Sequence, residues 1–504
     1  MSNLKNLAGQ TAVYGLSSIL GRSINFLMII VYTAYLSKEE MGSFTSIYAL
    51  IGFFNIVFTY GMETSFFRFS TGKNLDPASV YNSTQSTLIV STLVMGSGLY
   101  LLAPWLADTM DYPGQAYLFR WSALILSFDA ILAIPFAKLR LENKALIFAT
   151  AKLINIFLNI FFNLLLIVGF PYLISNGMIH EGFLGYRSEW GVEYVLLSNL
   201  FANGLIIPFV WWKAGFFKFK LEGSIIRPMW TYSLPLLFMG LAGVTNELLS
   251  RLLFEYVLPE NFYPGISSRA AGGIFGTNFR LAILMSLVIQ AFKYAAEPFF
   301  FKQSTDKDSP KLYANVTHAF IIFCASLMIA ISVNLNWLGP LFLRRAGYED
   351  GLFIVPTLLM GYLLLGIYFN ISIWFKVTDK TSYSFWITFI GALISIVVIV
   401  GLVPKLGYMG GALSTISCYF AMCLICLVYG QRYYPVPYQI GKGIFYLLFS
   451  FGLSYFGFYL NLDDPAMNFL VRNSLILIFL GAVVIVDKKQ LKLYFSRSKS
   501  KVSD

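Results

Sequence analysis

Long apolar stretches follow one another along the chain, separated by short polar breaks. A helix needs about 20 apolar residues to cross a hydrocarbon core. Read at that length, the pattern predicts fourteen spans, at roughly 10–36, 43–64, 82–104, 118–137, 145–170, 192–212, 229–257, 272–300, 313–340, 352–375, 382–403, 409–429, 441–461 and 467–486. The seventh and eighth are long enough to tilt or bend, and Pro235 near the start of the seventh favours a bend there. The expected fold is all-α and integral to the membrane, with almost no soluble domain.

The pattern also repeats. The second span ends in Glu63-Thr64-Ser65-Phe66-Phe67-Arg68 and the eighth in Glu297-Pro298-Phe299-Phe300-Phe301-Lys302, an offset of 234 residues. Asn143-Lys144 and Asp379-Lys380 stand 236 apart, and Gly169 and Gly401, each closing an apolar run, 232 apart. Each match is weak alone, but the nearly constant offset argues for two six-span repeats. An even-numbered repeat gives both halves one orientation, about an axis along the membrane normal, as in transporters that bind at a repeat interface. The predicted organisation is an N-terminal lobe at 1–212, a cytoplasmic amphipathic linker at 213–228 and a C-terminal lobe at 229–430. Two further helices at 431–486 and a basic tail at 487–504 follow. The linker carries Lys213, Lys218, Lys220 and Arg227 among Phe216, Phe217 and Phe219.

Composition sharpens this picture. Apolar residues make up 57% of the 504 and charged residues only 12%, against about 25% in a soluble domain. The net charge of +11 does not point to nucleic acid, because it is sorted by side. With both termini on one face, that face holds 24 of the 36 Lys and Arg residues, the other face 8, and the spans the remaining 4. By the positive-inside rule both termini are expected to be cytoplasmic. Trp105, Trp121, Trp211, Trp212, Trp230, Trp337 and Trp374 fall near proposed span ends, where amphipathic rings settle. The tail block Lys488, Lys489, Lys492, Arg497, Lys499 and Lys501 reads as a topology anchor, with anionic lipid headgroups as an alternative partner. Cys324, Cys418, Cys423 and Cys426 all lie in apolar runs and read as packing residues. The first apolar run contains Arg22 and lacks an A-x-A pattern after it, so it reads as a retained span.

Ionisable residues inside spans are costly and usually functional. They are Arg22, Glu63, Asp129, Glu247, Arg251, Glu255, Arg280, Lys293 and Glu297. Glu247 with Arg251, and Lys293 with Glu297, are four apart on one helix and can pair locally. Arg22 and Arg280 have no acidic residue three or four positions away, so each is expected to face another helix, a wet cavity or an anionic ligand. Tyr14, Ser18, Arg22 and Asn25 fall on one face of the first span, and Asn55, Thr59 and Glu63 on one face of the second. Two polar stripes, each with a charge, predict a cavity lining; interhelical glue is the alternative. No G-x-x-x-x-G-K-[ST] or H-E-x-x-H motif is present, and the only histidines are His180 and His318. No cofactor, metal or ATP site is expected on the chain, and transport would draw on an ion, potential or substrate gradient.

Several segments carry a family resemblance. They are Ala12-Val13-Tyr14-Gly15-Leu16, Gly61 through Phe69, Ile134-Pro135-Phe136 leading to Arg140-Leu141-Glu142-Asn143-Lys144, Ala291-Phe292 through Glu297-Pro298-Phe299, and Pro404 through Leu413. In these, and over essentially its whole length, the chain resembles the bacterial polysaccharide-biosynthesis flippases of the Wzx type. These belong to the multidrug/oligosaccharidyl-lipid/polysaccharide exporter superfamily. The resemblance implies two six-helix lobes around a cavity that opens to alternate sides of the bacterial inner membrane. It implies an undecaprenyl-diphosphate-linked oligosaccharide as cargo, the polysaccharide polymerase machinery as a partner, and no enzymatic activity. It gives Arg22 and Arg280 a diphosphate-binding role and Glu63 a place near the inner gate. Of the other intramembrane charges, Arg251 and Lys293 are expected to join the diphosphate site, and Glu297, Glu247 and Asp129 to serve gating or coupling. The last two spans would border a groove for the lipid tail. The intramembrane charges here are nearly balanced, 5 acidic against 4 basic, so charge alone does not call for an anionic cargo. Two other readings remain open: a drug or cation exporter of the same superfamily, and a membrane polysaccharide polymerase or ligase. The second would need a large outer loop that the chain lacks.

Overall fold

In a computed structural model of the chain, the described residues are 20–71, 75–303, 308–378, 380 and 382–488; for 294, 295, 297–299 and 301–303 the backbone alone is described. Among them no strand occurs. Thirteen helices are long and apolar enough to cross a membrane, and a shorter apolar helix, Leu20–Tyr35, precedes them. The thirteen coincide with the second to fourteenth predicted spans, and Leu20–Tyr35 is the described part of the first, predicted at 10–36. The chain divides into two compact units, Met1–Thr277 and Asn278–Asp504.

The first unit contains α1 (Leu20–Tyr35), α2 (Lys38–Thr59), α3 (Met62–Ser70), α4 (Pro77–Thr109), α5 (Ala116–Leu141), α6 (Ala145–Leu164), α7 (Phe170–Ser175), α8 (Val192–Ala214), α9 (Gly223–Val257) and the first turns of α10 (Ser268–Gln303). Local chemistry starts and stops these helices. Ser37 and Glu40 form a reciprocal capping box that begins α2. The helix ends where Tyr60 (φ 32°) and Gly61 (φ 70°) turn left-handed in succession. A Cβ on Gly61 would also lie 2.8 Å from the Leu236 side chain of α9, so glycine is needed twice over. The chain then restarts as α3, with Glu63 in its first turn, where the helix dipole favours a carboxylate. Asp76 caps α4 by accepting the Ser79 N–H at 2.9 Å, and Pro77 occupies the first turn.

Helix α5 packs against α4 and α8, α6 against α8, and α9 against α2 and α3. Pro135 lies inside α5 and has no N–H to offer the carbonyl one turn back, that of Ile131. The Gln85 side chain of α4, fully buried, donates to that carbonyl at 3.0 Å. Near the other end of the unit, α2 and α10 touch backbone to backbone. A Cβ on Gly273 would sit 2.1 Å from the Lys38 carbonyl oxygen. The linker after α8 runs without regular structure along the start of α4. Tyr81 donates to the Gly215 carbonyl at 3.0 Å, and the Lys218 and Lys220 amides donate to Asn82 and Ser86 at 2.9 and 3.0 Å. Phe216, Phe219, Lys218 and Lys220 remain exposed.

The second unit holds the rest of α10, then α11 (Ser309–Val333), α12 (Leu335–Phe342), α13 (Val355–Ile371), α14 (Ile373–Val377), α15 (Ser382–Leu406), α16 (Tyr408–Tyr433), α17 (Ile440–Tyr459) and α18 (Pro465–Val486). Helices α13 and α15 each pack against α16, and α17 and α18 lie on α11. Polar contacts fasten α18 at both ends. Near its start, buried Arg472 donates to the Leu460 carbonyl at the end of α17 and, at 3.5 Å, to Val333 at the end of α11. Just past its end, the buried Asp487 carboxylate meets Lys442 at 2.5 Å, His318 at 2.6 Å and Tyr446 at 2.9 Å. Burial pushes the Asp487 carboxyl up, but the bonds from Lys442, His318 and Tyr446 outweigh it and hold the group below its ordinary 3.8. This clasp therefore contributes stability above that range and loses it only as pH falls through the depressed value. The cysteines, all buried and free, pack as the sequence suggests.

Replacing Gln85 with Leu leaves the Ile131 carbonyl unpaired in an apolar interior. This should cost about 1–3 kcal/mol, seen as a lower melting temperature in detergent. Pro135→Ala restores a backbone donor, so the loss should shrink in the double variant. Equal losses with and without Pro135 would contradict the pairing.

Candidate functional site

Within the first unit, the ends of α2 and α3 and the facing stretches of α5, α6 and α8 enclose a cavity of about 490 Å³. Its polar lining is Asn55, Thr59, Glu63, Asp129, Arg140, Lys152, Asn155 and Asn203. Its apolar lining includes Leu132, Phe136 and Phe148.

At one end the Arg140 guanidinium donates to the Glu63 carboxylate. The two side chains are 31% and 41% exposed, so this pair stands at the cavity mouth. Arg140 also lies 5.1 Å from the Phe67 ring centre and 5.6 Å from that of Phe148. Eleven residues back along α5, about 16 Å at the helical rise, Asp129 lies deeper in the cavity. Asn203 donates to it at 2.8 Å, and Asn155 donates to Asn203 at 2.9 Å. The chain Asn155→Asn203→Asp129 fixes the orientation of both amides. Lys152 lies over the Phe136 ring at 4.2 Å and interacts electrostatically with Asp129, Arg140 and Glu63. Among the described residues its ammonium has neither a hydrogen bond nor an ion-pair contact. The formal charges of Glu63, Asp129, Arg140 and Lys152 cancel.

The sequence-predicted residues fall in several places. Asn55, Thr59, Glu63 and Asp129 share this one cavity, although the Thr59 hydroxyl is turned to its own helix, donating to the Asn55 carbonyl at 2.8 Å. Arg22 and Asn25 are exposed on α1 and do not line it. Tyr14 and Ser18 lie outside the described residues, as does the Glu297 side chain. Arg251 donates to the Glu247 backbone carbonyl at 3.2 Å, one turn earlier on α9. In the second unit, Lys293 lies 4.5 Å from the Phe369 ring centre and shares a small cleft with Lys376 and Asn370. Arg280 lies on α10 in that unit.

Four cavity residues escaped the sequence reading: Arg140, Lys152, Asn155 and Asn203. Arg140 and Lys152 look like cytoplasmic-face charges. A usable signal exists on α6, where Lys152, Asn155, Asn159 and Asn163 recur at helical spacing. Asn163 continues this polar rail, accepting from Tyr32 of α1 at 3.2 Å. At the offset of 236 residues, Arg140 corresponds to Lys376, which lines the second-unit cleft together with Lys293.

This helical arrangement is the fold of the flippases and exporters of the MOP superfamily. The solved lipid II flippase MurJ, in an inward closed conformation, superposes with a TM-score of 0.71 at 16% identity, covering 95% of this chain and 99% of that one. An inward-facing MATE family transporter of the MOP superfamily matches at 0.63 and 12%, covering 82% and 94%. A MATE transporter of Vibrio cholerae matches at 0.60 and 13%, covering 86% and 99%. A family model described as polysaccharide biosynthesis protein matches residues 33–172, a stretch that holds every residue lining the cavity except Asn203. No curated protein sequence matches the chain. The family model and the fold bear out the resemblance read from the sequence.

A cysteine placed at Lys152 or Asn155, in a variant with the four native cysteines replaced, should react with a membrane-impermeant thiol reagent. The reaction should occur only from the side where Lys138 and Glu142 lie. Glu63→Gln, which weakens the mouth pair, should speed it. Labelling only from the opposite side would contradict this placement of the mouth.

Proposed function

We propose that the chain is a flippase that carries a lipid-diphosphate-linked oligosaccharide from the cytoplasmic to the outer leaflet of the bacterial inner membrane by alternating access. The observation that carries this reading is the cavity itself. A charge-balanced cavity inside an apolar helical unit has no structural necessity, because charges within spans are costly to bury and where they persist usually mark a substrate or ion pathway. It occurs in a chain that shares its fold, over 95% of its length, with a lipid II flippase. The MATE matches cover 82% and 86%, so the overlap with the flippase is the larger. A drug or cation exporter is the weaker reading on that ground, and a polymerase or ligase has no outer catalytic domain to support it.

In this reading both termini are cytoplasmic, as the basic residues sort, and the Glu63–Arg140 pair is the inner lock. Glu63, with Glu297 and Glu247, releases and re-forms ion pairs as the cavity changes sides, and Asp129 is a candidate for coupling to a gradient. Arg22 and Arg280, with Arg251 and Lys293, hold the diphosphate. A guanidinium grips phosphate oxygens through two parallel donors without losing its charge. An apolar cavity of about 240 Å³, lined from α11, α13, α16 and α17 by residues such as Ile321, Leu364, Phe420 and Ile444, offers room for part of the lipid tail. The surface polysaccharide pathway and its polymerase are the partners this cargo implies.

Depleting the chain should leave lipid-linked oligosaccharide trapped on the cytoplasmic leaflet, and purified protein in vesicles should restore its passage. Arg22→Ala and Arg280→Ala should each lower that passage at least tenfold with protein still in the membrane, and the Lys replacements should retain part of it. Full activity of both Ala variants would rule out the diphosphate role.

A further inference from the structure

The inner half of the first-unit cavity, between Asp129 and Lys152, has a chemistry that the diphosphate does not explain. Its charges cancel, so it offers a phosphate no net attraction, and the Asp129 carboxylate would repel one. A bound metal ion has little support either, since among the described residues no three His, Cys, Asp or Glu side chains gather to hold one. What the cavity does offer is a set of fixed donors and acceptors. Asn203 uses one N–H on one Asp129 oxygen, leaving the other oxygen open. Asn155 uses one N–H on Asn203, leaving its own carbonyl oxygen open. The Lys152 ammonium has three N–H donors and no hydrogen bond among the described residues. Beside them the Phe148 ring forms an apolar wall.

Such a site suits groups that donate and accept together, held on a compact frame that is neutral overall. Hydroxyl groups on a sugar ring meet this description. Each can donate to Asp129 or the Asn155 oxygen and accept from Lys152 or Asn203, while the ring's C–H face meets Phe148. A volume of about 490 Å³ lies within the roughly 300–1,000 Å³ of ordinary small-ligand pockets. We infer that this half of the cavity is a sugar subsite, which reads the oligosaccharide of the cargo independently of its diphosphate. The inference rests on the flippase reading. It also explains how a flippase could select among glycans. A site built to bond a hydroxyl rejects an analogue lacking it, because its own buried polar groups are then left unpaired.

The test uses full-length protein in lipid vesicles and two probes. One is the lipid-linked oligosaccharide extracted from cells depleted of this chain. The other is the same lipid trimmed enzymatically to its first sugar. The readout is the ratio of their transport rates, measured on one preparation, so that any loss of folded protein cancels. Asn155→Leu, Asn203→Leu and Lys152→Met should each lower the ratio of full-length to trimmed transport at least tenfold, and Lys152→Arg should preserve most of it. Arg22→Ala should slow both lipids alike and leave the ratio in place. If the three cavity variants slow both lipids equally, the cavity serves the diphosphate or the coupling step and the sugar subsite is wrong. If the unaltered protein moves neither lipid, the flippase reading itself falls, and this inference with it.

Discussion

An ionised carboxylate and an ionised guanidinium persist among apolar helices only while something replaces the water they have left. In the first unit Glu63 and Arg140 do this for each other, and that constraint shapes their surroundings. Glu63 needs a helix start to sit on, and the chain supplies one by breaking α2 at Tyr60 and Gly61 and beginning α3 two residues later. Arg140 needs to reach inward from the end of α5, and the rings of Phe67 and Phe148 support its path. The pair is only partly buried, so opening it is not prohibitive. A fully buried pair would leave a severe penalty whenever it parted.

Deeper in the cavity the same problem is solved differently. Asp129 is satisfied by an amide, which is itself held by a second amide, and Lys152 rests on an aromatic face. Both solutions leave hydrogen-bonding capacity unspent, which is the property a binding site has and a structural salt bridge lacks. In the second unit polar groups are used to the opposite end. Asp487 gathers three partners and Arg472 reaches the backbone ends of two helices, so α17 and α18 are fastened to α11 at both ends.

Much of this was legible in the sequence, because the membrane writes a strong signal. Spans of twenty apolar residues cannot be mistaken, and among the described residues every long apolar helix is where the pattern puts it. The stripe Asn55, Thr59, Glu63 was legible as well, since a polar face on an otherwise apolar helix must meet something polar. Arg140 and Lys152 are not legible in this way, because by sequence they stand beside a loop rich in Lys and Arg and look like cytoplasmic-face charges. Only the packing of α5, α6 and α8 turns them inward. Asn155 and Asn203 were missed for a different reason: uncharged amides look unremarkable one at a time, and their value comes from lying across from each other. The role of Gln85 could be found only by seeing which carbonyl Pro135 had freed.

The central claim is that the charge-balanced cavity of the first unit receives the carbohydrate part of a lipid-linked cargo. An electron cryomicroscopy structure of the protein bound to its extracted lipid-linked oligosaccharide addresses it directly. The account predicts sugar density within hydrogen-bonding distance of Asp129, Lys152 and Asn155. Glycan density lying wholly outside this cavity, with the Asn155–Asn203–Asp129 chain facing only water, would contradict it.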